Sequence, residues 1–174
     1  MSESLHCAMD GNSTPLRSQD MSLIQELMDQ AATGSLINAQ SFKRFSPAEI
    51  RESIQTLVAT EQTDLAYALG DAGLSLHPHS EDMLAINGLL AIMRQDWPMG
   101  VELLTELKDI QGSKTQPFTY VMLVRALRCN LDPAQAIAVV NEGLSFYPEQ
   151  VELIAESLDL AEYNDAMKVS NFAH

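Results

Sequence analysis

Apolar residues recur at helical spacing along most of the chain, and no segment alternates convincingly between apolar and polar residues. The pattern therefore predicts an all-helical protein. Between the turn signals lie segments of an ordinary helix length, about 12 to 15 residues. The predicted helices cover residues 47–59, 62–75, 81–94, 98–110, 117–130, 133–146 and 149–163.

The N-terminal region has a different pattern. Residues 1–19 are polar and lack an apolar period, so we expect a flexible tail there. Residues 20–45 are predicted to form an N-terminal helix and a linker. The helix has one apolar stripe, formed by Leu23, Ile24, Leu27 and Met28. Residues 166–174 are expected to form a second tail.

Helix-start signals separate these segments. Ser46-Pro47-Ala48-Glu49 is the clearest, because the serine can accept from free amides, proline fits the first turn, and Glu49 can reach back to the cap. Similar signals occur at Ser80-Glu81-Asp82 and Asp132-Pro133, and a less complete one at Asp96 with Pro98. These positions predict where four of the helices begin.

An internal similarity joins the segments into repeats. Gly73-Leu74-Ser75-Leu76-His77-Pro78 returns seventy positions later as Gly143-Leu144-Ser145-Phe146-Tyr147-Pro148, which is two steps of 35. Each predicted unit contains two helices, and buried small residues such as Ala66, Gly100 and Ala136 would let the paired helices approach closely. Repeats of this length stack because one unit cannot bury its apolar face alone.

Over residues 47–165 the sequence resembles the tetratricopeptide repeat superfamily, with units at 47–80, 81–116 and 117–148. The resemblance implies an α-solenoid of about three helix hairpins, with the N-terminal amphipathic helix and a C-terminal capping helix at 149–163. The chain departs from the repeat pattern at Ile54, Val124 and Asn87, and the second junction has two extra residues. A plain helical bundle with an accidental period is the alternative.

The capping helix is predicted to cover the open end of the third unit with Val151, Ile154, Leu158 and Ala161. The acidic residues between them are expected to face water; these are Glu152, Glu156, Asp159 and Glu162. Terminal caps with a polar outer face are what repeat stacks require.

The resemblance also implies a binding surface, because the first helices of successive units line a concave groove in that superfamily. The predicted groove residues are Arg51, Gln55, Ala85, Leu89, Ile92, Met93, Phe118, Val121, Arg125 and Arg128. The middle of this set is apolar, which suits a polypeptide that inserts side chains, and Arg125 and Arg128 can bond its carbonyls or acids. Alternatively, the apolar members simply pack against neighbouring helices.

Composition narrows the choice of partner. Ten basic and 24 acidic residues give a net charge of −14, a field that repels nucleic acid phosphates and anionic lipid headgroups. We therefore expect another polypeptide as the partner, with neither nucleic acid nor membrane involved. Cys7 and Cys129 lie far apart in different kinds of segment, which argues against a disulfide and favours the cytoplasm.

No sequence motif indicates catalysis, a cofactor or a metal. His77 and His79 lack nearby ligands, so chance spacing explains them better than a metal site. Cys129 lies near two arginines that can lower a thiol pKa, although a structural cysteine is the simpler interpretation. No nucleophile motif and no glycine-rich phosphate loop is present. We expect a protein that is not an enzyme.

The size, the acidic charge and the predicted order of elements also resemble the class II chaperones of type III secretion translocators. That likeness implies a chaperone that holds an apolar client segment before export, and a homodimer formed by the N-terminal helix. Leu23, Ile24, Leu27 and Met28 are then the dimer candidates, with packing inside one chain as the alternative. A structural adaptor that binds through its convex or N-terminal face is the competing function.

Overall fold

The computed structural model of the chain describes Leu23, Gln25 and residues 43–171, with side chains up to Tyr163. Its helices are α1 (Pro47–Ala59), α2 (Thr63–Leu76), α3 (Glu81–Met93), α4 (Trp97–Gln111), α5 (Pro117–Cys129), α6 (Pro133–Phe146) and α7 (Val151–Asn171), with a 3-10 turn at Gly112–Lys114. The described residues contain no strand. The prediction of an all-α protein built of helix hairpins is therefore confirmed.

The predicted helix ends agree with the structure to within one residue for α1 to α6. The last helix differs, because α7 begins at Val151 and continues to Asn171, well beyond the predicted end at residue 163. Residues 166–171, expected to belong to a tail, are thus helical.

Side-chain caps explain several of these helix starts. At α1 the Ser46 hydroxyl accepts from the Glu49 amide, and the Glu49 carboxylate accepts from the Ser46 amide at 2.8 Å, so the predicted capping box forms. The Ser46 hydroxyl also donates to the Glu49 carboxylate at 2.6 Å, and this bond, followed by the one from the Ser46 amide, lowers the pKa of Glu49. The Asp96 and Asp132 carboxylates cap α4 and α6 by accepting from the amides of Met99 and Gln135, without a reciprocal side-chain bond. Ser80 makes no side-chain cap bond, so that predicted cap was wrong.

The three turns inside the helix hairpins share one conformation that the sequence does not signal. Glu61, Gln95 and Leu131 follow α1, α3 and α5 with φ values of 61°, 62° and 61°. In each turn the next amide donates to a carbonyl five residues earlier, as in Gln62 to Leu57 at 2.8 Å. This is the Schellman ending of a helix, which usually uses glycine.

The chain divides into two compact units, Met1–Leu36 and Ile37–His174. In the first unit, Leu23 is helical and buried and Gln25 is helical and exposed. The predictions for the tail at 1–19, for Ile24, Leu27 and Met28, and for most of the linker at 20–45 lie outside the described residues.

In the second unit every helix packs against the next one in the chain, and the odd-numbered helices also pack against each other in the order α1, α3, α5, α7. The core is aliphatic and is largest between α3 and α7, where the buried residues include Leu84, Leu104, Leu123 and Leu153. Tyr120 is the largest fully buried side chain. The small residues Ala66, Gly100 and Ala136 are buried, as predicted.

The seventy-residue offset is also a structural equivalence. A Cβ atom added to Gly73 would lie 3.0 Å from Ile50 and 2.7 Å from Met83. A Cβ atom added to Gly143 would lie 3.0 Å from both Tyr120 and Leu153, which stand seventy positions after Ile50 and Met83. The two glycines thus occupy matching sites, each between the preceding and the following odd-numbered helix. This places α7 in register with α3.

Candidate functional site

The predicted groove residues differ in how exposed their side chains are. Gln55, Met93, Phe118 and Arg125 are exposed, and the half-buried members are Arg51, Ala85, Leu89, Ile92 and Arg128. Val121 is only 4% exposed and belongs to the core, so its assignment to the binding surface was wrong. Its burial follows from its position on α5, a helix that packs against neighbours on almost every side.

Part of the apolar set also supports the core. Ala85, Leu89 and Ile92 lie on α3 and pack against buried residues while keeping part of their surface exposed. These three side chains therefore contribute both to packing and to the accessible face of α3. Because these side chains pack against the core, a ligand that contacts them would bind a rigid surface.

The arginines of the predicted groove are paired within the chain. Arg51 on α1 donates to Asp82 on α3. The Arg125 Nε atom lies 2.6 Å from a Glu156 carboxylate oxygen, and Arg128 bonds the other oxygen of Glu156 and also Asp159 at 3.2 Å. Each pair joins one odd-numbered helix to the next, so these charges fix the spacing of the helices that carry the predicted groove.

Glu156 is the centre of this cluster. Its side chain is only 8% exposed, while those of Arg125 and Arg128 are 49% and 35% exposed. Burial lowers the pKa of Arg128, but hydrogen bonds and charges from Glu156 and Asp159 outweigh it and raise the pKa above its ordinary value. Arg128 therefore remains ionised at neutral pH.

A pocket lies beside the cluster, and we call it the α5–α7 pocket. Its volume is about 570 Å³, within the range of pockets that enclose a small ligand or several side chains. It is lined by Ile92, Trp97, Arg125, Arg128, Cys129, Leu131, Pro133, Glu156, Leu160 and Tyr163. Of the predicted groove residues, the structure brings Ile92, Arg125 and Arg128 together here.

The wall of the α5–α7 pocket is mostly apolar, with its charges confined to one side. Trp97 is half-buried and contributes to the wall. Cys129 is a free, exposed thiol in the same wall, so the interpretation as a buried or half-buried structural cysteine was wrong. Apolar side chains of a ligand would fit this wall, and the paired arginines would orient its polar groups.

Sequence reasoning missed the residues that α7 and the turn after α5 contribute to the pocket. Glu156, Leu160 and Tyr163 were assigned to a cap and Leu131 to a loop. The available signal was the seventy-residue offset, which aligns Leu153 with Met83 and so identifies α7 as a further odd-numbered helix. The predicted cap orientation was also wrong: Leu153, Glu156 and Leu160 are buried, whereas Val151, Ile154, Leu158 and Ala161 are exposed.

Metal-ligand groups and membrane-spanning helices are both absent from the described part of the chain. No group of three or more metal-ligating side chains occurs among those residues. His79 pairs instead with Glu106 at 2.8 Å. Within the same residues, no helix has the length and apolar character needed to cross a membrane.

Comparison with known proteins adds no assignment, since no protein-family model matches the chain and no curated protein does so.

Proposed function

We propose that this chain is a non-catalytic protein-interaction module whose odd-numbered helices form the groove of a tetratricopeptide-type solenoid. In this proposal the groove holds an apolar segment of a client polypeptide. The observation that carries it is the α5–α7 pocket, which has a mostly apolar wall and paired charges on one side. Such a wall receives apolar side chains, while Arg125 and Arg128 orient the client through its carbonyls or acids.

The helix packing supports an extended binding surface. Each odd-numbered helix contacts the next one in the series α1, α3, α5 and α7. Each also packs against the even-numbered helices beside it in the chain. In this proposal, accessible residues on three of these helices, Arg51, Leu89 and Arg125, contribute to one groove. A client segment several residues long would contact more than one unit, and this is how stacked repeats gain binding area.

The resemblance to secretion chaperones supplies the biological context of the proposal. We propose a cytoplasmic chaperone that keeps an apolar client from aggregating before type III export, because shielding an apolar segment removes an aggregation surface. A homodimer through the N-terminal helix is a separate part of the proposal. Leu23 is only 4% exposed in the single chain, which leaves little of it for a second copy.

A pair of substitutions tests the groove. Leu89→Glu places a charge among the apolar side chains of α3, and Ile110→Glu makes the same change at an exposed isoleucine of α4. Each variant is expressed in the native host, and the stoichiometric partner is identified by mass spectrometry. We expect Leu89→Glu to lose the partner and Ile110→Glu to keep it, with both variants folded by circular dichroism.

The competing function, a structural adaptor, predicts a different result. An adaptor that binds through its outer or N-terminal face would keep its partner in the Leu89→Glu variant. A partner retained by a folded Leu89→Glu protein would therefore contradict the groove proposal.

A further inference from the structure

The outer side of α7 carries a row of exposed apolar side chains, which we call the α7 stripe. It consists of Val151, Ile154, Leu158 and Ala161, and the first three are 75%, 40% and 61% exposed. Spacings of three, four and three residues place all four on one side of the helix. Another side of α7 is buried through Leu153 and Leu160. The helix is thus apolar on two sides, and among the described residues only one of these sides is covered by other helices.

The register between α7 and α3 shows which element covers the equivalent side of α3. Because Leu153 matches Met83, Leu158 stands at the position that Gly88 has in α3. A Cβ atom added to Gly88 would lie 2.8 Å from Leu104, so this position of α3 faces α4 directly. The α7 stripe therefore corresponds to the surface on which α4 packs.

Three of the four α3 residues that match the α7 stripe are buried, and only Glu81, the counterpart of Val151, is exposed. Leu84 and Ala91, the counterparts of Ile154 and Ala161, are both 0% exposed beneath α4. Among the described residues, α7 packs extensively only against α5 and α6, and no helix occupies the place equivalent to α4. Within the part of the chain that the structure describes, the α7 stripe thus corresponds to one half of a helix pair without its second helix.

Charge indicates what kind of helix can complete the pair. Glu152, Asp159 and Glu162 border the α7 stripe along one edge and are exposed, and the whole chain has a net charge of −14. A second copy docked through its own α7 stripe would bring the same acidic edge against this one, which opposes the pairing of two copies at this surface. A helix with basic residues beside its apolar ones would instead meet an opposite charge.

We propose that the α7 stripe is a docking site for an amphipathic helix of another protein, with Lys or Arg bordering its apolar residues. This helix takes the place that α4 has on α3 and completes a fourth hairpin. Its apolar residues, spaced by three and four, pack on Ile154 and Leu158, and its basic border faces Glu152 and Glu162. The site is separate from the groove and does not depend on the groove proposal.

Two synthetic peptides test this proposal with the full chain. Both are 18-residue amphipathic helices with leucine at helical spacing; one has lysine along the borders and the other glutamate. Binding is measured by fluorescence anisotropy at several salt concentrations. We expect the lysine peptide to bind at least tenfold more tightly than the glutamate peptide, with an affinity that falls as salt rises.

Neutral substitutions separate docking from a general attraction between opposite charges. Ile154→Gln and Leu158→Gln remove apolar surface from the α7 stripe, while Ile110→Gln does so at an isoleucine of α4 with similar exposure, 43% against 40%. We expect the first two to weaken lysine-peptide binding at least tenfold and Ile110→Gln to leave it unchanged. Leu89→Glu should also leave it unchanged, which distinguishes this site from the groove.

Three outcomes would overturn the proposal. Equal losses in Ile154→Gln and Ile110→Gln would mean that the peptide binds acidic surface without using the stripe. Equal affinities for the two peptides would show that basic border residues do not contribute to binding. A wild-type dimer in sedimentation that Leu158→Gln converts to a monomer would assign the stripe to a second copy. Circular dichroism confirms that each variant is folded.

Discussion

The buried carboxylate of Glu156 provides a sharp test of how the odd-numbered helices are held together. It accepts from the Arg125 Nε atom at 2.6 Å and from Arg128, so one acid of α7 joins two arginines of α5. Glu156→Gln keeps nearly the same shape and removes the negative charge. In the variant, a neutral amide contacts the two guanidinium groups that the Glu156 carboxylate pairs with in the wild type.

The magnitude follows from the exposure of the three side chains. Breaking a fully buried ion pair costs about 3–5 kcal/mol, mainly because the remaining charge is left without a partner. Glu156 is 8% exposed, but Arg125 and Arg128 are 49% and 35% exposed and can regain water. That access reduces the expected loss to about 1–3 kcal/mol in the free energy of unfolding.

Urea denaturation followed by circular dichroism measures this loss, with Asp159→Asn as the matched control. Asp159 bonds the same Arg128 but its side chain is 59% exposed, so its substitution should cost about 0–1 kcal/mol. The triple variant Arg125→Met, Arg128→Met, Glu156→Leu should lose less free energy of unfolding than Glu156→Gln alone, because apolar replacements of a complete ionic cluster are tolerated. Equal effects of Glu156→Gln and Asp159→Asn would refute the reasoning.

Three further predictions use denaturation of single variants. Gly88→Ala would place a Cβ atom 2.8 Å from a leucine of α4 and should cost about 1–3 kcal/mol, whereas Gly100→Ala, with contacts no closer than 3.4 Å, should cost nothing or stabilise. Leu131→Gly relieves a φ of 61° and should stabilise by about 0.5–1 kcal/mol. The folded-state pKa of Glu49 lies below 4.5, so the destabilisation caused by Ser46→Ala should shrink as pH falls from 4.5, and a constant difference would contradict the capping box.

The sequence predicted the helix boundaries well because this chain marks them chemically. Ser46, Asp96 and Asp132 each precede a proline-containing first turn and do accept from backbone amides. The hairpin turns could not be predicted in the same way. Their left-handed residues are Glu61, Gln95 and Leu131, none of which is the glycine that usually signals such an ending.

The face of α7 was predicted wrongly for a physical reason. An apolar stripe on an amphipathic helix normally faces the core, and acids normally face water. Here Glu156 is buried because two arginines of α5 pair with it, while Leu158 is exposed because no described helix covers it. Both facts depend on how α7 packs with elements distant in sequence, so the pattern of α7 alone does not contain them.

The candidate site was predictable only in part. Ile92, Arg125 and Arg128 were identified through the family resemblance and do meet at the α5–α7 pocket. Val121 was misplaced because α5 is buried on nearly all sides, which a positional pattern taken from exposed grooves does not anticipate.

The central claim is that a client polypeptide occupies the groove, and the reactivity of Cys129 tests it most directly. Cys129 is an exposed thiol in the wall of the α5–α7 pocket, and replacing Cys7 by serine makes it the sole cysteine. The rate of its reaction with a thiol reagent is compared for the free protein and for the purified client complex. A control protein with Cys129→Ser and Ile110→Cys reports on α4. We predict at least tenfold slower labelling of Cys129 in the complex and an unchanged rate at position 110; an unchanged rate at Cys129 in a saturated complex would contradict the account.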